Sequence, residues 1–363
     1  MTGQVVLLFP SFPDGNMHPP DFRIIVRSKG FHFNPIHRHG VDYRTTSRVK
    51  LNPMRVRKAV ITAAGRGTRM FPATRAIQKE MLPIIDQDGL VKPTIQMIIE
   101  ECIASGIEEI CIVVERGGGA AFRDHFRSIT PDELKGFSGK AWAIAEADKL
   151  ADIASRISYV EQPSPEGFGH AVLQAKEFAA GEPIVLLLGD HVYTTPDGVK
   201  PCIRQAIEAA EASGGSITTV RLEPEASVGV TGIVKCDVPA GETPALSTAL
   251  PILQLQEKPS IDDVQSLKTN GLPDKTYLGH FGIHVFTAEI FECLQALIDG
   301  NVRVKNEFQL TSGQEGLLER AKAGTAPVYS ACILNGTRWD IGMPDEYLLT
   351  LAEFGRRGPY NNA

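Results

Sequence analysis

The run KAVITAAG, from Lys58 to Gly65, is the feature that most constrains this chain. Its apolar residues are continuous rather than alternating, so both faces of the strand they form must be covered, as in a parallel sheet flanked by helices. The run breaks directly into a glycine-rich segment, AAGRGTRMFPATRAIQKEMLP, at Ala63 to Pro83. Open α/β sheets bind ligands there, beyond the carboxyl ends of their strands. Gly65 and Gly67 allow backbone N–H groups to approach phosphate oxygens with no Cβ in the way. Arg66 and Arg69 add planar guanidinium forks, and Lys79 adds a point charge. Met70 stands where the dinucleotide fingerprint needs its third glycine, and no G-x-x-x-x-G-K-S/T loop is present. The segment is therefore expected to hold a triphosphate by neither of the two common loops.

Strands and amphipathic helices alternate from Lys58 onward: TIQMIIEECIASG, EEICIVVE, ISYVEQ, GFGHAVLQAKEFAA, PIVLLLGD, then VKPCIRQAIEAAEASGG. Further on, GIVKCD, ILQLQEKP and YLGHFGIHVFT read as a more antiparallel second half. The expected fold class is α/β: a three-layer, Rossmann-like mixed sheet, mostly parallel, with an appended subdomain. Residues 57–355 are expected to form this domain and 356–363 a short tail. Residues 1–56 read as an extension outside it, either a disordered basic arm or a segment preceding a true start at Met54. His32, His37 and His39 in that extension lack a spaced Cys or carboxylate partner, so they do not read as a metal site.

Charge narrows the partners. The net charge of −6 hides nine basic against three acidic residues in 1–57, which leaves −12 on the rest. An acidic body argues against a broad nucleic-acid surface but not against one nucleotide held by a local basic cluster. No run reaches the roughly 18 apolar residues of a membrane span. The six cysteines are scattered with no C-x-x-C pair, which points to buried free thiols and a reduced, cytoplasmic setting.

The ordered set AAGRGTR…KEMLP, YVEQPSPEGFGHAV (Tyr159 to Val172), LLLGD (Leu186 to Asp190), TGIV around Gly232, QEKP (Gln256 to Pro259), EFQLT (Glu307 to Thr311) and RWDIG (Arg338 to Gly342) resembles the sugar-1-phosphate nucleotidyltransferases. KEMLPI most resembles their uridylyltransferase branch, which joins UTP to glucose 1-phosphate. The resemblance spans about Lys58 to Phe354. It implies the nucleotide-diphosphosugar transferase fold, Mg2+ as cofactor, and a homo-oligomer. By the same resemblance Ala63, Ala64, Gly65, Gly67 and Thr68 line the nucleotide, while Gln162 and Gly167 read the base. An amide that both donates and accepts suits uracil or thymine. Arg69 and Lys79 are expected to hold the triphosphate, and Asp190 and Asp340 the metal. Lys258 is expected on the sugar phosphate, with Gly232, Glu257 and Gly282 against the sugar. Such a site needs positioning and charge neutralisation rather than a nucleophilic side chain.

Three places depart from that pattern. His191 follows Asp190 where the uridylyltransferases often carry a second acid and the thymidylyltransferases an amide. SIDDVQSLKTNGLPDKTYLGHFG fills the stretch after Lys258, and EFQLTSGQ replaces EIQLTDA. Alternatives are thus a dTTP-using or different-sugar relative, or a catalytically silent sugar-nucleotide sensor. A nicotinamide oxidoreductase fits the gross pattern but lacks the glycine at position 70.

Overall fold

A computed structural model describes residues 54–360, together with a short antiparallel pair, Val5–Val6 with Ile25–Val26. The contacts divide the chain into Met1–Leu51 and Asn52–Ala363, and only the second unit is described below. The expectations for the arm, including the histidine cluster, lie outside the described residues.

The strands are β1 (Lys58–Ala63), β2 (Pro83–Ile85), β3 (Val91–Pro93), β4 (Glu109–Glu115), β5 (Ile157–Gln162), β6 (Ile184–Leu188), β7 (His191–Thr194), β8 (Ser216–Pro224), β9 (Gly232–Cys236), β10 (Ala249–Glu257), β11 (Thr276–Phe286), β12 (Tyr329–Ile333) and β13 (Thr337–Asp340). Nine of them form the central sheet in the order β8-β12-β10-β9-β11-β6-β1-β4-β5. The half from β6 to β5 is all parallel. Beyond β6 the ladders are antiparallel, apart from parallel β8–β12, and β8 also pairs with β11. The sheet is therefore mixed, with the antiparallel part in the second half.

The continuous apolar strands explain the layers. Successive side chains of a strand point to opposite faces. Ala59 and Ile61 of β1 join one core with Ile110 and Ile112, covered by helices Thr94–Ala104 and Cys202–Ser213. Val60 joins the other with Cys111 and Val113, covered by Phe168–Leu173, Glu289–Asp299 and Leu310–Lys322. Both faces are dry, so alternation is absent. All six cysteines are free and buried. Val56 is already part of the core, and the last helix, Pro344–Arg357, extends to Arg357. No helix among the described residues is long and apolar enough to cross a membrane.

Candidate active site

Four chain segments converge at the carboxyl ends of the parallel strands. Ala63 ends β1, Gln162 ends β5, and Gly189–Asp190 follow β6. A two-stranded ribbon, β7 with β13, sets His191 opposite Asp340.

The glycine loop keeps its shape through its own polar groups. Gly67 has φ +61, the left-handed region that glycine enters without strain, and a Cβ there would stand 2.8 Å from Thr74 Cγ2. The Thr74 hydroxyl donates to the Gly67 carbonyl, and the Gln78 amide donates to the Ala63 carbonyl, each at 2.9 Å. Gly65, Arg66, Thr68 and Arg69 are left exposed, with Ala64 and Gly67 partly so. Thr68 opens the 3-10 turn Thr68–Met70.

Lys79 reaches from the far end of this loop to Asp190. Its ammonium donates to Asp190 Oδ2 at 2.5 Å and lies 3.6 Å from Glu80 Oε1. A Cβ on Gly65 would lie 3.5 Å from the same nitrogen. Burial pushes the Lys79 pKa down, but the charges of Asp190 and Glu80 more than reverse this, and the net shift is upward. For Asp190, burial pushes upward, and the Lys79 ammonium turns the net shift downward. Both groups are thus held charged. Glu80 differs: it is fully buried, neither oxygen has a hydrogen-bond partner, and burial raises its pKa to about 8 against the pull of Lys79.

Asp190, His191 and Asp340 present one ligand atom each within 4.8 Å of one another. Asp340 is held below its usual range because His191, the Gly342 N–H and Arg338 together outweigh its burial. The Gly342 N–H donates to Asp340 Oδ1 at 2.8 Å. A Cβ on Gly342 would stand 2.7 Å from Asp190 Oδ2, 3.0 Å from Asp340 Oδ1 and 3.3 Å from Arg69 Nη2. Glycine therefore leaves a small space bordered by two carboxylates and a guanidinium. That space, with oxygen donors on two sides, fits a hard divalent cation.

The base side is a separate pocket wall. Gln162 and His170 are buried, and the Gln162 amide nitrogen lies 3.2 Å from the Gly167 carbonyl and 3.0 Å from His170 Nδ1. Gly167 has φ +113, and a Cβ there would collide with the Phe308 carbonyl at 2.7 Å. The Phe308 N–H donates to the Glu166 carbonyl, and the Gly169 N–H donates to the Phe308 carbonyl. EFQLT thus braces the loop on which Gln162 and Gly167 sit.

A third cluster, expected on the sugar side, gathers around the end of β10. Glu257 is registered opposite Gly232, and Glu257 Oε2 accepts from the Thr311 hydroxyl at 2.7 Å. Lys258 sits at φ +45, its N–H donating to the Thr231 carbonyl, with its ammonium 3.5 Å from Glu257 Oε1. Gly232 makes room for the His280 ring, since its Cβ would lie 2.8 Å from Nδ1. Gly282, at φ +104, does the same for His191, at 2.6 Å from Nδ1.

The predicted residues therefore fall into three groups: Gly65, Arg69, Lys79, Asp190 and Asp340; Gln162 with Gly167; and Gly232, Glu257 and Lys258. Gly282 borders His191 and so adjoins the first group. Reading the residues one by one missed Gly342, Thr311, His280 and Gln78. Gly342 and Thr311 lie inside motifs already singled out. His280 and Gln78 carry no pattern of their own.

A family model of nucleotidyl transferases matches residues 58–352. The chain belongs to that family. Among curated relatives, this nucleotidyl transferase is 35% identical over 308 residues to a UTP–glucose-1-phosphate uridylyltransferase of Streptococcus pneumoniae serotype 4, covering 84% of this chain and 92% of that one. It is 34% identical over 306 residues to the enzyme of the same name from Staphylococcus epidermidis, with 84% and 94% covered. Its fold matches a crystal structure of apo UDP-glucose pyrophosphorylase with a TM-score of 0.67 at 25% identity, covering 83% of this chain and 99% of that one. A UTP-bound UDP-glucose pyrophosphorylase from Acinetobacter baumannii matches with a TM-score of 0.65 at 25% identity, covering 84% and 95%.

Proposed function

We propose that this nucleotidyl transferase makes UDP-glucose and pyrophosphate from UTP and glucose 1-phosphate. The observation that carries this is the convergence of Arg69, the Lys79–Asp190 pair and Asp340 around the space that Gly342 leaves. The names and coverage of the curated relatives support the choice of UTP and glucose 1-phosphate.

In this reading the phosphate oxygen of glucose 1-phosphate attacks the α-phosphorus of UTP in line, and pyrophosphate leaves. The chain's task is to align the two phosphates and to offset developing charge. Gly65 and Gly67 present backbone N–H groups to the triphosphate, while Arg69 and Lys79 supply cations. The Gln162 amide nitrogen is already engaged by Gly167 and His170, which leaves its carbonyl end to accept from the base N3–H. Lys258 holds the sugar phosphate; Glu257, fixed by Thr311, accepts from sugar hydroxyls beside Gly232. Asp190 and Asp340 would hold Mg2+, which when bound would supply charge neutralisation to the phosphates. The reaction asks no side chain for a proton, so His170 has no catalytic role in it.

Residues 57–355 are read as the catalytic domain of a cytoplasmic enzyme, with Val56 and the helix end to Arg357 packed onto it. A homo-oligomer is part of the same reading. The test is pyrophosphate release with Mg2+ and glucose 1-phosphate, comparing UTP, dTTP, GTP, CTP and ATP. UTP is expected to be the fast substrate. A preference for dTTP moves the enzyme to the thymidylyl branch, and silence across nucleotides and a panel of sugar phosphates leaves a sensor.

A further inference from the structure

His191 occupies a position at which a second acid or an amide is the usual expectation, and the structure gives it a specific environment. It is 6% exposed and directly opposite Asp340 in the antiparallel β7–β13 register. Opposed residues in such a pair project to the same face. Its Nε2 lies 3.5 Å from Asp340 Oδ2, which is longer than a good hydrogen bond. The contact is long enough for a dication to replace it and sit between the ring and the carboxylate. A ligand atom of each lies within 4.8 Å of an Asp190 oxygen, and ligands of one octahedral dication lie about 3–4 Å apart.

The ring is also fixed from behind. Gly282, at φ +104, is the only residue type that clears Nδ1, since a Cβ there would approach to 2.6 Å. His191 Nδ1 has no hydrogen-bond partner among the described residues. The histidine is thus held by shape at its Nδ1 edge, with Nε2 turned toward Asp340.

We propose that His191 is a third protein ligand, through Nε2, and that its nitrogen tilts the metal site toward a manganese-type dication over magnesium. This rests on the reading of Asp190 and Asp340 as metal ligands. Mg2+ demands hard oxygen donors and keeps much of its water, whereas imidazole suits first-row transition metals.

The test uses the full chain loaded with Mn2+ alone. Pulsed electron paramagnetic resonance should detect imidazole nitrogen coupling in the wild type, and His191→Asn should remove it. Titration calorimetry should show Mn2+ affinity falling about tenfold in His191→Asn, with Mg2+ affinity changing less than about threefold. Wild-type protein labelled with 15N-histidine gives the same contact reading without any substitution. Coupling that persists in His191→Asn, or is absent from the wild type, overturns the assignment if Asp340→Asn still abolishes Mn2+ binding. Mn2+ affinity unchanged in Asp340→Asn overturns the carboxylate reading beneath it.

Discussion

Lys79 and Asp190 lie 111 residues apart in the chain and meet at 2.5 Å, the ammonium of one donating to Oδ2 of the other. The pair links the glycine loop to the strand end of β6. Each partner keeps the other charged inside the protein, so the cation and the carboxylate are built as one unit.

Breaking that unit should cost catalysis before it costs the fold. Lys79→Ala or Asp190→Asn is expected to lower pyrophosphate release by about 10²–10³-fold. Far-UV circular dichroism should be unchanged. Near-normal turnover in either variant would refute the assigned roles.

Gly342→Ala tests the cation space with the smallest possible change. Gly342 is not among the positive-φ residues, so alanine fits its backbone, while the new methyl meets Asp190 and Asp340 at 2.7 and 3.0 Å. Turnover should fall by about 10²-fold, as for loss of one charge-stabilising group, with the melting temperature nearly unchanged. A chelator should silence the wild type, and added Mg2+ should restore it.

Thr311→Val keeps the volume and removes the hydroxyl that fixes Glu257. The loss of one hydrogen bond, about 1 kcal/mol, corresponds to a rise of roughly fivefold in KM for glucose 1-phosphate. KM for UTP should not move. An equal rise for both substrates would place Thr311 in general stability instead.

Glu80 predicts a pH dependence of stability. Its folded pKa, about 8, is above the ordinary 4.5, so the unfolded chain loses this proton first as pH rises. Its contribution is full below about pH 4.5 and is lost on rising through about pH 8. Glu80→Gln removes this titration. Urea unfolding at pH 5.5 and 8 should show the wild type losing on the order of 2 kcal/mol more than the variant over that interval. Parallel losses in the two proteins would contradict a buried, proton-bound Glu80.

Much of this protein was legible in its sequence. The continuous apolar runs from Lys58 to Ala63 and Glu109 to Glu115 implied strands buried on both faces. The glycine loop followed from its position after the first of them, and the ordered motifs indicated the family. These signals are local: each depends on residues a few positions apart. What only the tertiary structure decided are meetings across the chain, because side-chain proximity between distant segments leaves no spacing to read. Lys79 with Asp190, Thr311 with Glu257, and Gly342 between two carboxylates are of this kind. So is the place of His191, whose neighbour in sequence is Asp190 but which the register sets opposite Asp340, with the space that Gly282 leaves behind its ring.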